Sequence, residues 1–211
     1  MSPFLIIFGG SFDPPHRGHL RCLELALGRF PQARIFVMPA LVPGAVAGLE
    51  KQPGASFADR LRMCELMRAE LPAKLMPQVL VSDLEESLPV PNRTLATLEA
   101  LARLYPATEL ALLLGEDQRA NFHLWHKPKE ILARCSLLLV GRPPLGESRH
   151  RAEDDDGATL YFLGESEAPV ASKNIRHPHN AEAAKDLLPW QIPAVQQYIK
   201  TKGLYLRKKH Q

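Results

Sequence analysis

Apolar and polar positions change period repeatedly along this chain. Phe4-Leu-Ile-Ile-Phe8 is an unbroken β-prone run, the pattern of a strand buried on both faces. Leucines then recur at Leu20, Leu23, Leu25 and Leu27, which predicts an amphipathic helix closed by Gly28. Residues 34–38 and 79–82 read as strands. Between them, Ser56 reads as the N-cap of a helix carrying Phe57, Leu61, Cys64, Leu66 and Met67. Helical spacing over 94–105 (Leu95, Leu98, Leu101, Ala102, Tyr105) leads into a fourth strand over 110–114 that ends at Gly115. A short helix is predicted over 129–134, a fifth strand over 136–140 and a sixth over 160–163. The remainder reads as helical, with Gly203 capping the last helix and Leu204-Tyr205 folding back as apolar residues.

Continuous apolar strands alternating with amphipathic helices predict an α/β fold, a doubly wound and mostly parallel sheet covered on both faces. In such folds ligands sit outside the carboxyl ends of the strands. Residues 9–19 follow the first strand and residues 115–125 the fourth, so both can converge on one crevice. No repeat or linker divides the chain. A single domain is expected over 1–211, with a helical C-terminal part from about 172 and a Pro-, Gly- and charge-rich loop over 141–158.

At 211 residues the chain is long enough for one well-buried domain. A net charge of +3 gives no nucleic-acid footprint, and the basic run at 207–210 reads as a solvated tail. No apolar run approaches membrane-spanning length and no signal-peptide pattern opens the chain, so the expected location is cytoplasmic, with no membrane partner. Cys22, Cys64 and Cys135 are odd in number and lie in apolar patterns, as reduced core thiols do. No Cys/His spacing suits zinc, and no metal held by the protein is expected. A homo-oligomer is left open.

The chemistry concentrates after the first strand, in Gly9-Gly-Ser-Phe-Asp-Pro-Pro-His16-Arg-Gly-His19. Glycines let backbone approach a ligand closely, and a following helix N-terminus turns free N–H groups and its dipole toward an anion. His16 and His19 are three apart, on one helical face beside that site, where imidazoles can donate to phosphate oxygens. The whole string resembles the signature of the HxGH nucleotidyltransferase superfamily, which implies a Rossmann-like nucleotidyltransferase fold.

Further strings narrow the resemblance to bacterial nicotinate-nucleotide adenylyltransferase. Gly115 permits close backbone approach, Asp117 can accept from ribose hydroxyls, and Trp125 can stack on a flat heterocycle; Gly-x-Asp…Phe-x-x-Trp is similar to that family's pattern. Pro91-Asn-Arg-Thr94-Leu-Ala-Thr97-Leu98 resembles its Pro-Ser-Tyr-Thr-x-Asp-Thr-Leu segment, with Arg93 in place of Tyr and Ala96 in place of Asp. Val170-Ala-Ser172-Lys-Asn-Ile175-Arg176 resembles its Ile-Ser-Ser-Thr-x-Ile-Arg segment, with Lys173 in place of Thr and Ser172 as the expected helix cap. The family's Asn and Pro-Pro-His-Lys-like loop after the second strand has no counterpart in residues 38–51, where Lys51 is the one candidate substitute.

The resemblance implies ATP-dependent adenylyl transfer to nicotinate mononucleotide, with Mg²⁺ accompanying ATP. It implies that His16, His19 and Arg176 stabilise charge on the α-phosphate and the leaving group. Gly9, Gly10, Ser11 and Phe12 would surround the triphosphate together with Ser172 and Ile175, and Gly115 and Asp117 would meet the ATP ribose. Thr94, Arg93, Trp125 and Lys51 would hold the pyridine nucleotide. Nicotinamide mononucleotide or phosphopantetheine as acceptor, and a non-catalytic nucleotide sensor, are the alternatives. A class I aminoacyl-tRNA synthetase is set aside, because the chain is short and lacks a Lys-Met-Ser-Lys-Ser loop.

Overall fold

The apolar run at the start of the chain becomes the central strand because both its faces are covered. Phe4, Ile6 and Phe8 enter one hydrophobic cluster while Leu5 and Ile7 enter another on the opposite face. The computed structural model describes residues 4–42, 52–90, 93–141, 152–153, 159–164 and 171–206. Strands β1 (Phe4–Gly10), β2 (Arg34–Pro39), β3 (Val79–Val81), β4 (Glu109–Gly115), β5 (Ser136–Val140), β6 (Ala152–Glu153) and β7 (Thr159–Gly164) form one seven-stranded sheet, in the order β3-β2-β1-β4-β5-β7-β6. Neighbours are parallel except β6 and β7, which are antiparallel.

The helices among the described residues are α1 (Arg17–Arg29), α2 (Phe57–Arg68), α3 (Thr94–Leu104), α4 (Glu116–Ala120), α5 (Pro128–Leu132), α6 (Ser172–Arg176), α7 (Ala181–Asp186) and α8 (Pro193–Lys202). Helices α1, α2 and α8 bury Leu23, Leu27, Met63, Met67 and Val195 on one face of the sheet. Helices α3 and α5 bury Leu98, Leu101 and Ile131 on the other. The expected doubly wound architecture is therefore present. Its strand progression reverses between β1 and β4, which sets a crevice at their carboxyl ends.

Local signals hold in most places. The Ser56 hydroxyl accepts from the Asp59 N–H at 3.1 Å and starts α2. Gly203 closes α8 in the left-handed region at φ +63°, and Leu204 and Tyr205 fold back against the α1/α2 core. Gly28 does not end α1, which runs on to Arg29 with Phe30 as its C-cap. Phe30 is buried with its ring centroid 4.9 Å from that of Phe4, and this packing carries the last turn past the glycine. Within the expected 141–158 loop, Ala152–Glu153 pair with β7; two residues give no period to read. The rest of that loop, beyond Gly141, lies outside the described residues. Among the described residues no helix is long and apolar enough to cross a membrane.

Candidate active site

Gly9 and Gly10 end β1 at the switch point. A Cβ built on Gly9 would meet nothing within 4 Å, so the protein's own packing does not demand a glycine; the space is open to a ligand. Phe12 then takes φ +47°, a left-handed conformation that costs a non-glycine residue about 1–2 kcal/mol. Its ring, almost wholly buried 5.3 Å from Phe8 and 4.9 Å from His19, holds the turn in place.

His16 is the N-cap of α1 and His19 lies one turn in, their ring centroids 3.8 Å apart. The His16 backbone N–H donates to His19 Nδ1 at 3.1 Å. His19 therefore carries its proton on Nε2, the nitrogen left to donate to a ligand. Burial pulls the His16 pKa down to about 4, and burial followed by the neighbouring His16 holds His19 well below the usual histidine range. Both rings are neutral at pH 7. His16 Nδ1 is buried without a hydrogen-bond partner among the described residues.

The depressed His16 pKa has a consequence for stability. Between pH 4 and about 6.5 the unfolded chain binds the proton that the folded chain refuses. Stability is therefore expected to fall as pH drops through that window, by about 3 kcal/mol from His16 alone. Urea midpoints from pH 7 to pH 4, compared with those of His16→Ala, check this. Parallel pH dependences in the two proteins would contradict it.

Asp13 is the hub of the loop. Its nearly inaccessible carboxylate accepts from the Gly54 N–H (2.8 Å), the Ala55 N–H (3.1 Å) and the Tyr205 hydroxyl (2.7 Å). Arg176 Nη1 lies 3.0 Å from Asp13 Oδ2 and also donates to the Asp13 carbonyl. Burial first, then the Asp13 carboxylate, push the Tyr205 phenol pKa up. Helix α6 docks on the same loop through the Ser172 hydroxyl, which donates to the Pro14 carbonyl at 2.8 Å. Ser172 thus does not cap α6: Ala171 occupies the cap position, and Ser172 ties the helix to the β1 loop instead. Ile175 is half-buried on α6.

The other candidates lie on the face covered by α3 and α5. Gly115 ends β4 and is the N-cap of α4, and Asp117 is the second residue of that helix. Arg93 is the N-cap of α3 and Thr94 its first residue, with no side-chain cap bond. Trp125 packs partly on the same core, its ring 5.1 Å from Phe122. Gly9, Gly10, Ser11, Phe12, His16, His19, Ser172 and Arg176 are thus brought together around one loop, with Thr94 and Trp125 in one neighbouring layer. Lys51 lies outside the described residues.

Residues 7–208 match the cytidylyltransferase-like family. A probable nicotinate-nucleotide adenylyltransferase of Yersinia enterocolitica is 32% identical over 94% of both chains. One of Sodalis glossinidius is 33% identical over 94% of this chain and 95% of its own. The chain belongs to the nicotinate-nucleotide adenylyltransferase family. Its fold agrees with that membership. The Plasmodium falciparum nicotinic acid mononucleotide adenylyltransferase complexed with NaAD matches with a TM-score of 0.75 at 18% identity, covering 96% of this chain and 97% of that one. A putative nicotinate-nucleotide adenylyltransferase from Vibrio parahaemolyticus matches at 0.64 and 20% identity, over 98% and 97% of the two chains.

This member of the family uses a buried cation that its motifs do not announce. Arg60, 1% exposed, donates to the Ser11 carbonyl at 3.0 Å and the Ala40 carbonyl at 2.7 Å, and so staples the turn after β1 to the turn after β2. Glu85 holds the second turn from the other side, its Oε2 accepting the Leu41 N–H at 2.8 Å. The signal was in the sequence: Arg60 shares the buried face of α2 with Met63, Cys64 and Met67, a place where an unpaired charge does not survive. Arg60→Met is expected to destabilise the protein by about 3 kcal/mol and lower Tm by about 10 °C, because buried carbonyls lose a charged donor. A calorimetric scan unchanged from wild type would refute the staple.

Proposed function

We infer that the protein transfers the adenylyl group of ATP to nicotinate mononucleotide, giving nicotinate adenine dinucleotide and pyrophosphate. The observation that carries this reading is the His16–His19 pair beside the open Gly9 backbone. It lies at the switch point of a chain whose relatives of about one-third identity bear the nicotinate-nucleotide adenylyltransferase name.

In the proposed reaction an oxygen of the acceptor phosphate forms the new bond to the α-phosphorus of ATP. The α–β bridging bond breaks in line, and pyrophosphate leaves with the electron pair. The attacking oxygen is already an anion, so no general base is needed, and catalysis rests on positioning and charge stabilisation. His19 Nε2 donates to the triphosphate, as does His16. Arg176 gives Nη1 to Asp13, and the other edge of its guanidinium suits bidentate contact with phosphate oxygens. The N-terminus of α3 at Arg93 and Thr94 receives the nicotinate carboxylate, and Trp125 stacks on the pyridine ring. The Asp13 carboxylate is filled by its own donors and offers no metal ligand, so Mg²⁺ is taken as part of the MgATP substrate.

Pyrophosphate release with MgATP, comparing nicotinate with nicotinamide mononucleotide, tests the reading. A clear preference for nicotinate is expected. Equal rates would remove the carboxylate site at α3, and ATP binding without release for either acceptor would replace the enzyme with a nucleotide sensor.

A further inference from the structure

Tyr205 follows the Gly203 cap of α8, and its φ of +63° turns the chain back toward the β1 loop. Helix α8 is fixed on α2: Val195 is fully buried, and the Tyr198 hydroxyl donates to Asp59 Oδ1 at 2.9 Å. From that base Tyr205 meets one cluster in three ways. Its hydroxyl donates to Asp13 Oδ1 at 2.7 Å, and its ring centroid lies 5.9 Å from Arg176 Cζ. The ring also rests so closely on Gly54 that a Cβ there would come within 2.8 Å of Tyr205 Cδ1. Asp13 Oδ2 in turn stands 3.0 Å from Arg176 Nη1. The guanidinium is thus held between a carboxylate and an aromatic face, and Tyr205 fixes the one and supplies the other.

We propose that Tyr205 is a positioning residue for ATP. Acting through Asp13 and through its own ring, it holds Arg176 so that the far edge of the guanidinium meets the triphosphate. The proposal rests on the role given to Arg176 under the proposed function. Gly54 belongs to the same device, because only a residue without Cβ lets the phenol ring lie against the Arg176 side.

The test uses the full chain, with titration calorimetry of a non-hydrolysable ATP analogue beside steady-state kinetics. Tyr205→Phe keeps the ring and removes the donor. It is expected to raise the KM for ATP and the Kd of the analogue about five-fold, with the acceptor KM within about two-fold of wild type. Gly54→Ala, which displaces the ring while leaving Asp13 and Arg176 chemically intact, is expected to act in the same direction. In an Arg176→Ala background, Tyr205→Phe is expected to add nothing to the analogue Kd. A proportional effect in both backgrounds, or equal loss of affinity for ATP and acceptor, would overturn the proposal by making Tyr205 purely structural. Normal ATP affinity in Arg176→Ala would overturn the role of Arg176 itself. Weakened affinity there with an unchanged Tyr205→Phe would overturn the positioning role alone.

Discussion

His19→Ala is expected to lower kcat by about 100-fold or more, the usual loss when one preorganised donor to a developing oxyanion is removed. The structure makes this more than a charge argument. The His16 backbone N–H occupies His19 Nδ1, so the ring offers a neutral Nε2–H in a fixed direction at physiological pH. The same contact also satisfies a backbone donor at the start of α1, and alanine would leave that donor unpaired. His19→Gln separates the two effects, since glutamine at the third helical position can reach back to the cap N–H. It is expected to restore the melting temperature without restoring turnover. Stopped-flow or coupled pyrophosphate assays on both variants decide the matter, and turnover within a few-fold of wild type in His19→Ala would remove the assignment.

Asp13→Ala is expected to be the most damaging single substitution to stability. It would strip one acceptor from two backbone N–H groups, a tyrosine hydroxyl and a guanidinium, all at a residue only 2% exposed. Removing one partner of a buried ion pair costs about 3–5 kcal/mol, because the remaining charge stays desolvated. Denaturant unfolding should show the midpoint shift, and Asp13→Asn should recover only part of it, since the amide keeps an acceptor oxygen but loses the charge. A loss below about 1 kcal/mol for Asp13→Ala would mean that its partners find other acceptors or water.

Six of the strands, the doubly wound class that their alternation with helices implies, and the loop with His16 and His19 are legible because their signals are local; the two-residue β6 is not. An apolar run, a pair of glycines and a helical period each lie within a dozen residues. The hub was not. Asp13 stands in the motif string, yet its partners Arg176 and Tyr205 are 163 and 192 positions away, and no period links them. Ser172 reads as a cap because Ser commonly takes that role, but it stands one position inside α6, behind Ala171, and its hydroxyl donates to the Pro14 carbonyl instead. Gly28 failed as a stop signal because Phe30 had an aromatic partner in Phe4. Arg60 was legible in principle, as a charge at an apolar-face position, but its carbonyl acceptors belong to two turns that only the fold brings together.

The three cysteines divide between the two sides of the sheet. Cys22 and Cys64 are buried in the layer of α1 and α2, and Cys135 in the layer of α3 and α5. Burial pushes the Cys135 thiol up to about 12 and the Cys64 thiol well above its usual range, so neither reacts as a thiolate while its layer is closed. Alkylation by an electrophilic label therefore times the opening of each layer separately. Nucleotide that bridges the crevice should slow both clocks together, whereas a ligand confined to one layer should slow only its own.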